Sequence, residues 1–165
     1  MMPRTLFMLV WVAFLLGGCS GQKNAPATTA SLNTVAFSQV DSLIRVEPRP
    51  VAVFLHAEWC RFCRSMEQTT FRDPEVIQRL NRDYYFVSFD GEQEAPVEFA
   101  GKVFTFRPSG RNSGTHELAL QLGTFDGDFA YPTFVLLSPG YEINFQHRAY
   151  LDARAMRTVL AKGAE

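Results

Sequence analysis

The sequence predicts an α/β domain, a sheet held between layers of helices, and three observations predict it. Val51–Leu55, Tyr84–Phe89 and Thr133–Leu137 are short apolar runs with the length and the β-branched and aromatic content of strands. The segments between them carry helical spacing with recognisable starts, the clearest being Asp73-Pro74-Glu75: an N-cap, a proline at the first helical position and an acid in the first turn. Pro139-Gly140, Glu142–His147 and Asp152–Ala161 then read as a turn, a last antiparallel strand and a capped terminal helix. Strands alternating with helices give a three-layer sandwich, although pattern alone leaves the strand order open.

Taken in order, residues 1–18 read as a leader. Arg4 precedes an apolar run from Leu6 to Leu16, too short to span a bilayer and of signal-peptide length. The run ends in Leu16-Gly17-Gly18-Cys19, which resembles the bacterial lipobox. That resemblance implies cleavage before Cys19 and lipid on its sulfur, hence a periplasm-facing membrane lipoprotein. Ser20 after it leans towards the outer membrane. An ordinary secretory signal with a spare thiol at Cys19 is the alternative. Residues 19–34 are small and polar and read as a flexible tether, leaving 35–165 as one domain with a real core. The net charge of −1 and the lack of a basic run argue against nucleic-acid binding. Of three cysteines, lipidation of Cys19 would leave one pair, too few for a disulfide framework.

Within the domain, Val40, Leu43 and Ile44 lie at helical spacing over 35–45, and Pro48 and Pro50 stop that helix. The central strand Val51–Leu55 leads into Ala57-Glu58-Trp59-Cys60-Arg61-Phe62-Cys63 and a helix from Cys60 to about Phe71. Val76, Ile77 and Leu80 supply the buried face of the helix capped by Asp73. Residues 92–123 are the least ordinary part. Gly101–Phe106 reads as one strand of a small hairpin and Pro108, Gly110, Asn112 and Gly114 as a loop. Thr115 is expected to cap a helix that Gly123 ends. In the terminal helix Met156, Val159 and Leu160 face inward.

Two cysteines at i and i+3 on a strand-to-helix junction are the local signature of a thiol–disulfide redox site, because the first helical turn brings them within reach of a small ring. The helix start also favours a thiolate at Cys60. Half a zinc site or a static crosslink would use the same pair. The stretch Ala57-Glu58-Trp59-Cys60-x-x-Cys63 after an apolar strand, with Tyr131-Pro132-Thr133 before another, resembles the thioredoxin superfamily. Glu67 and Thr70-Phe71-x-Asp73-Pro74-Glu75-Val76 bring it near periplasmic members such as the C-terminal domain of DsbD. The resemblance implies a thioredoxin-like α/β/α sandwich with a mixed central sheet, an insertion before the cis-proline strand, and a disulfide reductase or isomerase without a cofactor beyond its own Cys60–Cys63 disulfide. Its partners would be periplasmic protein disulfides and an upstream thiol electron donor.

On this reading Cys60, nearer solvent, attacks, and Cys63, one turn deeper, resolves the mixed disulfide. Trp59, Tyr131 and Pro132 would contact the partner, and Arg61 and Phe62, between the cysteines, would tune the potential, with Arg64 adding charge just after. Phe54 stands where the family carries a buried Asp that helps the second cysteine ionise; Glu67 is the candidate replacement, a solvated helix residue its alternative. His56 reads as a plain strand-end histidine, with proton shuttling as the second reading. His116 and His147 have no spacing that suggests a site. No metal site is expected, since a closed zinc site wants four ligands. A copper- or zinc-handling protein using Cys60, Cys63 and His56, and a redox-silent interaction module, are the competing functions.

Overall fold

The computed structural model describes residues 30–111 and 113–163. The expected leader (1–18), Cys19, most of the tether and Asn112 lie outside these residues.

Helices and strands follow one another as α1 (Phe37–Val46), β1 (Val51–His56), α2 (Arg61–Gln68), a 3₁₀ turn (Thr70–Arg72), α3 (Pro74–Asp83) and β2 (Tyr85–Asp90). Then come β3 (Val97–Phe99), β4 (Lys102–Phe104), β5 (Phe106–Gly110), β6 (Ser113–His116), α4 (Glu117–Gly123), β7 (Thr133–Leu137), β8 (Ile143–His147) and α5 (Ala153–Lys162). The main sheet has the order β2-β1-β7-β8. β1 runs parallel to β2 and antiparallel to β7, and β7 runs antiparallel to β8, so the sheet is mixed as expected. The sheet separates two cores. On one face Ala52, Phe54, Phe86, Phe134 and Leu136 meet α2, α3 and α5 through Met66, Leu80, Met156 and Leu160. On the other, Val51, Val53, Leu55, Val87 and Val135 meet α1 and α4 through Val40 and Leu118. The period-2 alternation of each strand therefore feeds both layers.

Local signals explain several boundaries. Asp73 caps α3 by accepting from the Glu75 and Val76 amides at 3.1 and 3.0 Å. Its other oxygen accepts from Arg157 on α5 at 2.8 Å, which ties two helices at their ends. Asp152 caps α5 through the Ala155 amide at 2.7 Å. The active-site helix is shorter than expected: α-helix ends at Gln68, and the stretch up to Arg72 tightens to a 3₁₀ turn. There Thr70 is fully buried, with its hydroxyl donating to the Leu151 carbonyl at 2.6 Å.

Residues 31–35 are held against the domain. The Asn33 amide donates to Asn81 Oδ1 and Asn81 Nδ2 donates to the Ser31 carbonyl, both at 2.8 Å. Leu32 packs on the core, and the Val35 amide donates to the Phe86 carbonyl at 2.9 Å. The physical reason is that β2 is a sheet edge with unpaired backbone groups, which the segment 31–35 covers.

The insertion differs most from its sequence reading. It forms two hairpins, β3–β4 and β5–β6, where one small hairpin followed by a loop was expected. Ala100 and Gly101 both take positive φ (52° and 69°), closing the first hairpin where one continuous strand from 101 to 106 was expected. Pro108 sits inside β5 opposite Gly114, tolerated because this sheet has only two strands and an irregular register beside it. Thr115 belongs to β6; the cap of α4 is His116, whose Nδ1 accepts from the Leu118 amide at 3.2 Å.

Asp41 on α1 holds the first hairpin in place. Its carboxylate accepts from the Ala100 and Gly101 amides at 3.2 and 3.3 Å and from the Tyr141 hydroxyl, in the β7–β8 turn, at 2.6 Å. Burial works to raise this carboxyl's pKa, but those three hydrogen bonds and the charge of Arg45 together hold it below its ordinary value. Replacing Asp41 by Ala should cost about 1–3 kcal/mol in urea unfolding, since two turns lose one shared acceptor. Because the folded pKa is depressed, this contribution is present above the unfolded value of 3.8 and lost as pH falls through the folded one.

His116 carries the opposite chemistry. Burial lowers its pKa, and the contact with the Ala95 carbonyl and the charge of Glu117 offset only part of that. Its stabilising neutral form therefore prevails above the unfolded pKa of 6.5 and is lost as pH falls through the folded value. Melting temperature should drop between about pH 7.5 and 5 in the wild type, with His56 contributing in the same direction. His116→Gln should start lower, having lost its cap, and show a flatter profile; an equally steep profile would remove His116 from the account.

Candidate active site

The site forms where β1 ends and α2 begins. The Cys60 amide donates to the Ala57 carbonyl at 3.0 Å, which turns the chain, and Cys60 itself is the N-cap of α2. Its sulfur accepts the Cys63 amide at 3.1 Å, taking the place that a serine or aspartate oxygen has in an ordinary cap. Cys60 and Cys63 form a disulfide with Cα atoms 5.2 Å apart. The structure thus joins the two residues that the spacing paired.

Cys63 is buried, as expected, at 1% exposed, whereas Cys60, expected nearer solvent, is only 3% exposed. Cys60 belongs to the buried cluster that includes Ala57, Phe54, Cys63 and Met66, so it does not stand out towards solvent. The exposed surface beside it is aromatic. Trp59 is 65% exposed and Phe62 61%, against a core that otherwise hides its rings. Arg61 and Arg64 are exposed as well; Arg64 donates to the Glu58 carbonyl, and Arg61 makes no hydrogen bond or ion pair among the described side chains.

Tyr131 and Pro132 arrive from the other side. The Tyr131–Pro132 bond is cis, and Pro132 is buried one step beyond the Leu55–Thr133 pair, beside the end of β1. The Tyr131 ring meets Trp59 edge-on at 5.9 Å and Phe129 at 4.9 Å. Its hydroxyl is buried without a partner among the described residues. Burial, followed by the charges of Glu92 and Asp90, pushes its pKa well up, so it stays a neutral phenol. That hydroxyl lies against the Cα of Gly91, where any Cβ would overlap it. The Trp59 indole in turn donates to Glu92 Oε1 at 2.8 Å, so Trp59 and Tyr131, two of the residues expected to meet a partner, are braced by the loop that opens the insertion.

Behind the disulfide is a cleft of about 360 Å³, lined by His56, Glu58, Cys63, Arg64, Glu67 and Asp90 among others. Glu67 therefore does reach the neighbourhood of Cys63, while remaining exposed. Phe54, in place of the family's buried acid, is fully buried, stacked on His56 with ring centres 5.4 Å apart and edge-on to Phe71 at 4.8 Å. His56 has its pKa lowered by burial, with the charges of Glu67 and Asp90 pulling the other way. Asp90 is not among the residues that the sequence singles out, and His56 reads there as a plain strand-end histidine. The parallel pairing of β1 with β2 sets the two directly beside each other at the ends of both strands. Among the described residues no group of three or more His, Cys, Asp or Glu side chains is placed to hold a metal ion.

Comparison with known proteins agrees with this architecture. The profile of the thioredoxin-like domain matches residues 39–164. The thiol:disulfide interchange protein DsbD of Escherichia coli is 33% identical over 76 residues, 44% of this chain but only 14% of that protein's length. Among solved structures, the DsbH oxidoreductase superposes with a TM-score of 0.61 at 16% identity, covering 89% of this chain and 94% of its own. A thioredoxin from Thermus thermophilus superposes with a TM-score of 0.56 at 22% identity, covering 81% and 91%. A match running from α1 through the strand–cysteine–helix unit and the cis-proline strand to the terminal helix places this chain in the thioredoxin-like domain family.

Proposed function

We propose that this chain is a thiol–disulfide oxidoreductase that reduces or isomerises protein disulfides through Cys60 and Cys63. The observation that carries the reading is the Cys63 amide donating to Cys60 Sγ at the start of α2. In the reduced protein that amide and the aligned peptide dipoles behind it favour negative charge on Cys60, the requirement for attack on a disulfide. Cys60 attacks, a mixed disulfide forms, and Cys63 displaces the partner as the Cys60–Cys63 bond closes. An upstream dithiol donor then restores the pair. Trp59 and Phe62 offer the partner exposed apolar area, and Tyr131 and Pro132 flank its path. Arg61, exposed between the cysteines, adds positive charge to the approach, and it tunes the potential together with Phe62. The thiol:disulfide interchange for which DsbD is named supports the same reading.

The two cysteines should be separable. The wild type is expected to accelerate insulin reduction by dithiothreitol, and both single serine variants to lose turnover. Cys63→Ser should accumulate mixed disulfides through Cys60 on non-reducing gels, whereas Cys60→Ser should capture none. Trapping by Cys60→Ser instead would reverse the roles. A wild type inert towards insulin, with neither variant trapping anything, would leave an interaction module.

We further propose that the domain faces the periplasm from the outer membrane, held by lipid on Cys19; the support is the apolar run ending in Leu16-Gly17-Gly18-Cys19 and the Ser20 that follows. Cys19→Ala should release the protein into the soluble periplasmic fraction. Intact-mass measurement of the membrane form should find a diacylated or triacylated Cys19 at the mature terminus; an unmodified Cys19 would refute the anchor.

A further inference from the structure

Resolution of a mixed disulfide needs a group to take the proton from Cys63, and the position that supplies an acid elsewhere in the family is here Phe54, fully buried and without polar atoms in its side chain. The same face of β1 carries its next side chain at His56, whose ring stacks on that of Phe54. His56 and Cys63 line one cleft, and the charged groups facing it come from three elements: Glu67 and Arg64 on α2, Asp90 at the end of β2, and Glu58 in the connecting turn. A carboxylate is a weak acceptor for a thiol proton, the reference values lying about four units apart; imidazole stands closer, about two units below a thiol in water, and burial widens that gap at His56 without reversing the order of reference values.

We propose that His56 is the proton acceptor for Cys63 in the resolving step, a role that rests on the oxidoreductase reading above. Burial keeps the free imidazole neutral at neutral pH, with a lone pair ready, and the charges of Glu67 and Asp90 favour the imidazolium once it forms. In the step, the mixed disulfide joins Cys60 Sγ to a partner sulfur. The Cys63 thiol passes its proton to a His56 ring nitrogen, and the sulfur's electron pair attacks Cys60 Sγ. The Cys60–Cys63 bond forms, the Cys60–partner bond breaks, and the partner leaves as a thiolate that takes the proton from the imidazolium. Over both steps the protein dithiol loses two electrons and the partner disulfide becomes two thiols. Glu67 on this account is a positioning charge, and His56 is the base.

The test is single-turnover oxidation of the reduced full chain by oxidised glutathione, acid-quenched and scored by mass-tagging of free thiols. His56→Gln should slow loss of the glutathione mixed disulfide about tenfold or more at neutral pH. Its rate should then climb with pH as solvent hydroxide replaces the base, while the wild-type rate levels off above the His56 titration. Alkylation of Cys60 in a Cys63→Ser background should change by less than about twofold on adding His56→Gln, since His56 acts on the other sulfur. Resolution by His56→Gln at the wild-type rate, or Glu67→Gln slowing it more than His56→Gln does, would overturn the assignment. If His56→Gln gives no cooperative melt, nuclear magnetic resonance titration of His56 in the wild type decides. Linkage requires its midpoint to differ between the reduced and oxidised proteins, and identical midpoints refute coupling to Cys63. A wild type that never forms the glutathione mixed disulfide fails at Cys60, which defeats the oxidoreductase reading itself and this inference with it.

Discussion

β1 is the constraint on which the rest of the molecule depends. It is paired along both edges, to β2 and to β7, so its backbone groups are satisfied internally, and Val51 to Leu55 are all buried. Each of the larger apolar side chains contributes about 1.5–3 kcal/mol by burial, and alternate residues feed opposite cores. A strand held in this way cannot slip by one residue without exchanging both faces. Its end is therefore a fixed point. His56, the Ala57 turn and Cys60 inherit their positions from it, and α2 starts from that turn with the Cys63 amide donating to the sulfur of Cys60.

Around that point the insertion is tied to the site by named bonds. The Gly91 amide donates to the His56 carbonyl at 2.8 Å, and the Gly91 carbonyl accepts from the His116 amide at 2.7 Å. One residue thus links the end of β1 to the end of the second hairpin. Gly91 has no side chain because Tyr131 occupies the space, and Tyr131 in turn supports Trp59. The β3–β4 hairpin is secured separately, by Asp41 on α1. The β5–β6 hairpin lines a groove of about 530 Å³ together with Glu92 and Glu94. Glu92, which accepts from the Trp59 indole, connects that groove to the edge of the site.

The electrostatics of the site divide along the same lines. The apolar side of the disulfide is formed by Phe54, Ala57, Met66 and Tyr131, where little can stabilise charge. The polar side is the cleft behind Cys63, where a half-buried imidazole lies among the carboxylates of Glu58, Glu67 and Asp90. Helix geometry presents negative charge with donors at Cys60, whereas Cys63, inside the first turn, has its amide already committed to Cys60. Two cysteines on one helical turn thereby meet different surroundings, which is what a sequential exchange requires.

Taken alone, the amino-acid sequence determined whatever is decided over a few neighbouring residues. Apolar runs marked β1, β2 and β7; Asp73-Pro74 and Asp152 marked two helix starts; and the Cys60–Cys63 spacing marked the disulfide, because i and i+3 on one turn can hardly avoid each other. Tertiary structure decided what depends on pairing between distant segments. The register that sets Asp90 beside His56 comes from two strands pairing across α2 and α3, and neither residue carries a local sign of it. The second hairpin was hidden because Pro108 and Gly110 are turn residues by local preference, and only their partners across the ladder hold them extended. The enclosure of Cys60 likewise follows from how α2 and Tyr131 pack around the end of β1, since solvent exposure is a property of the neighbours and not of the residue.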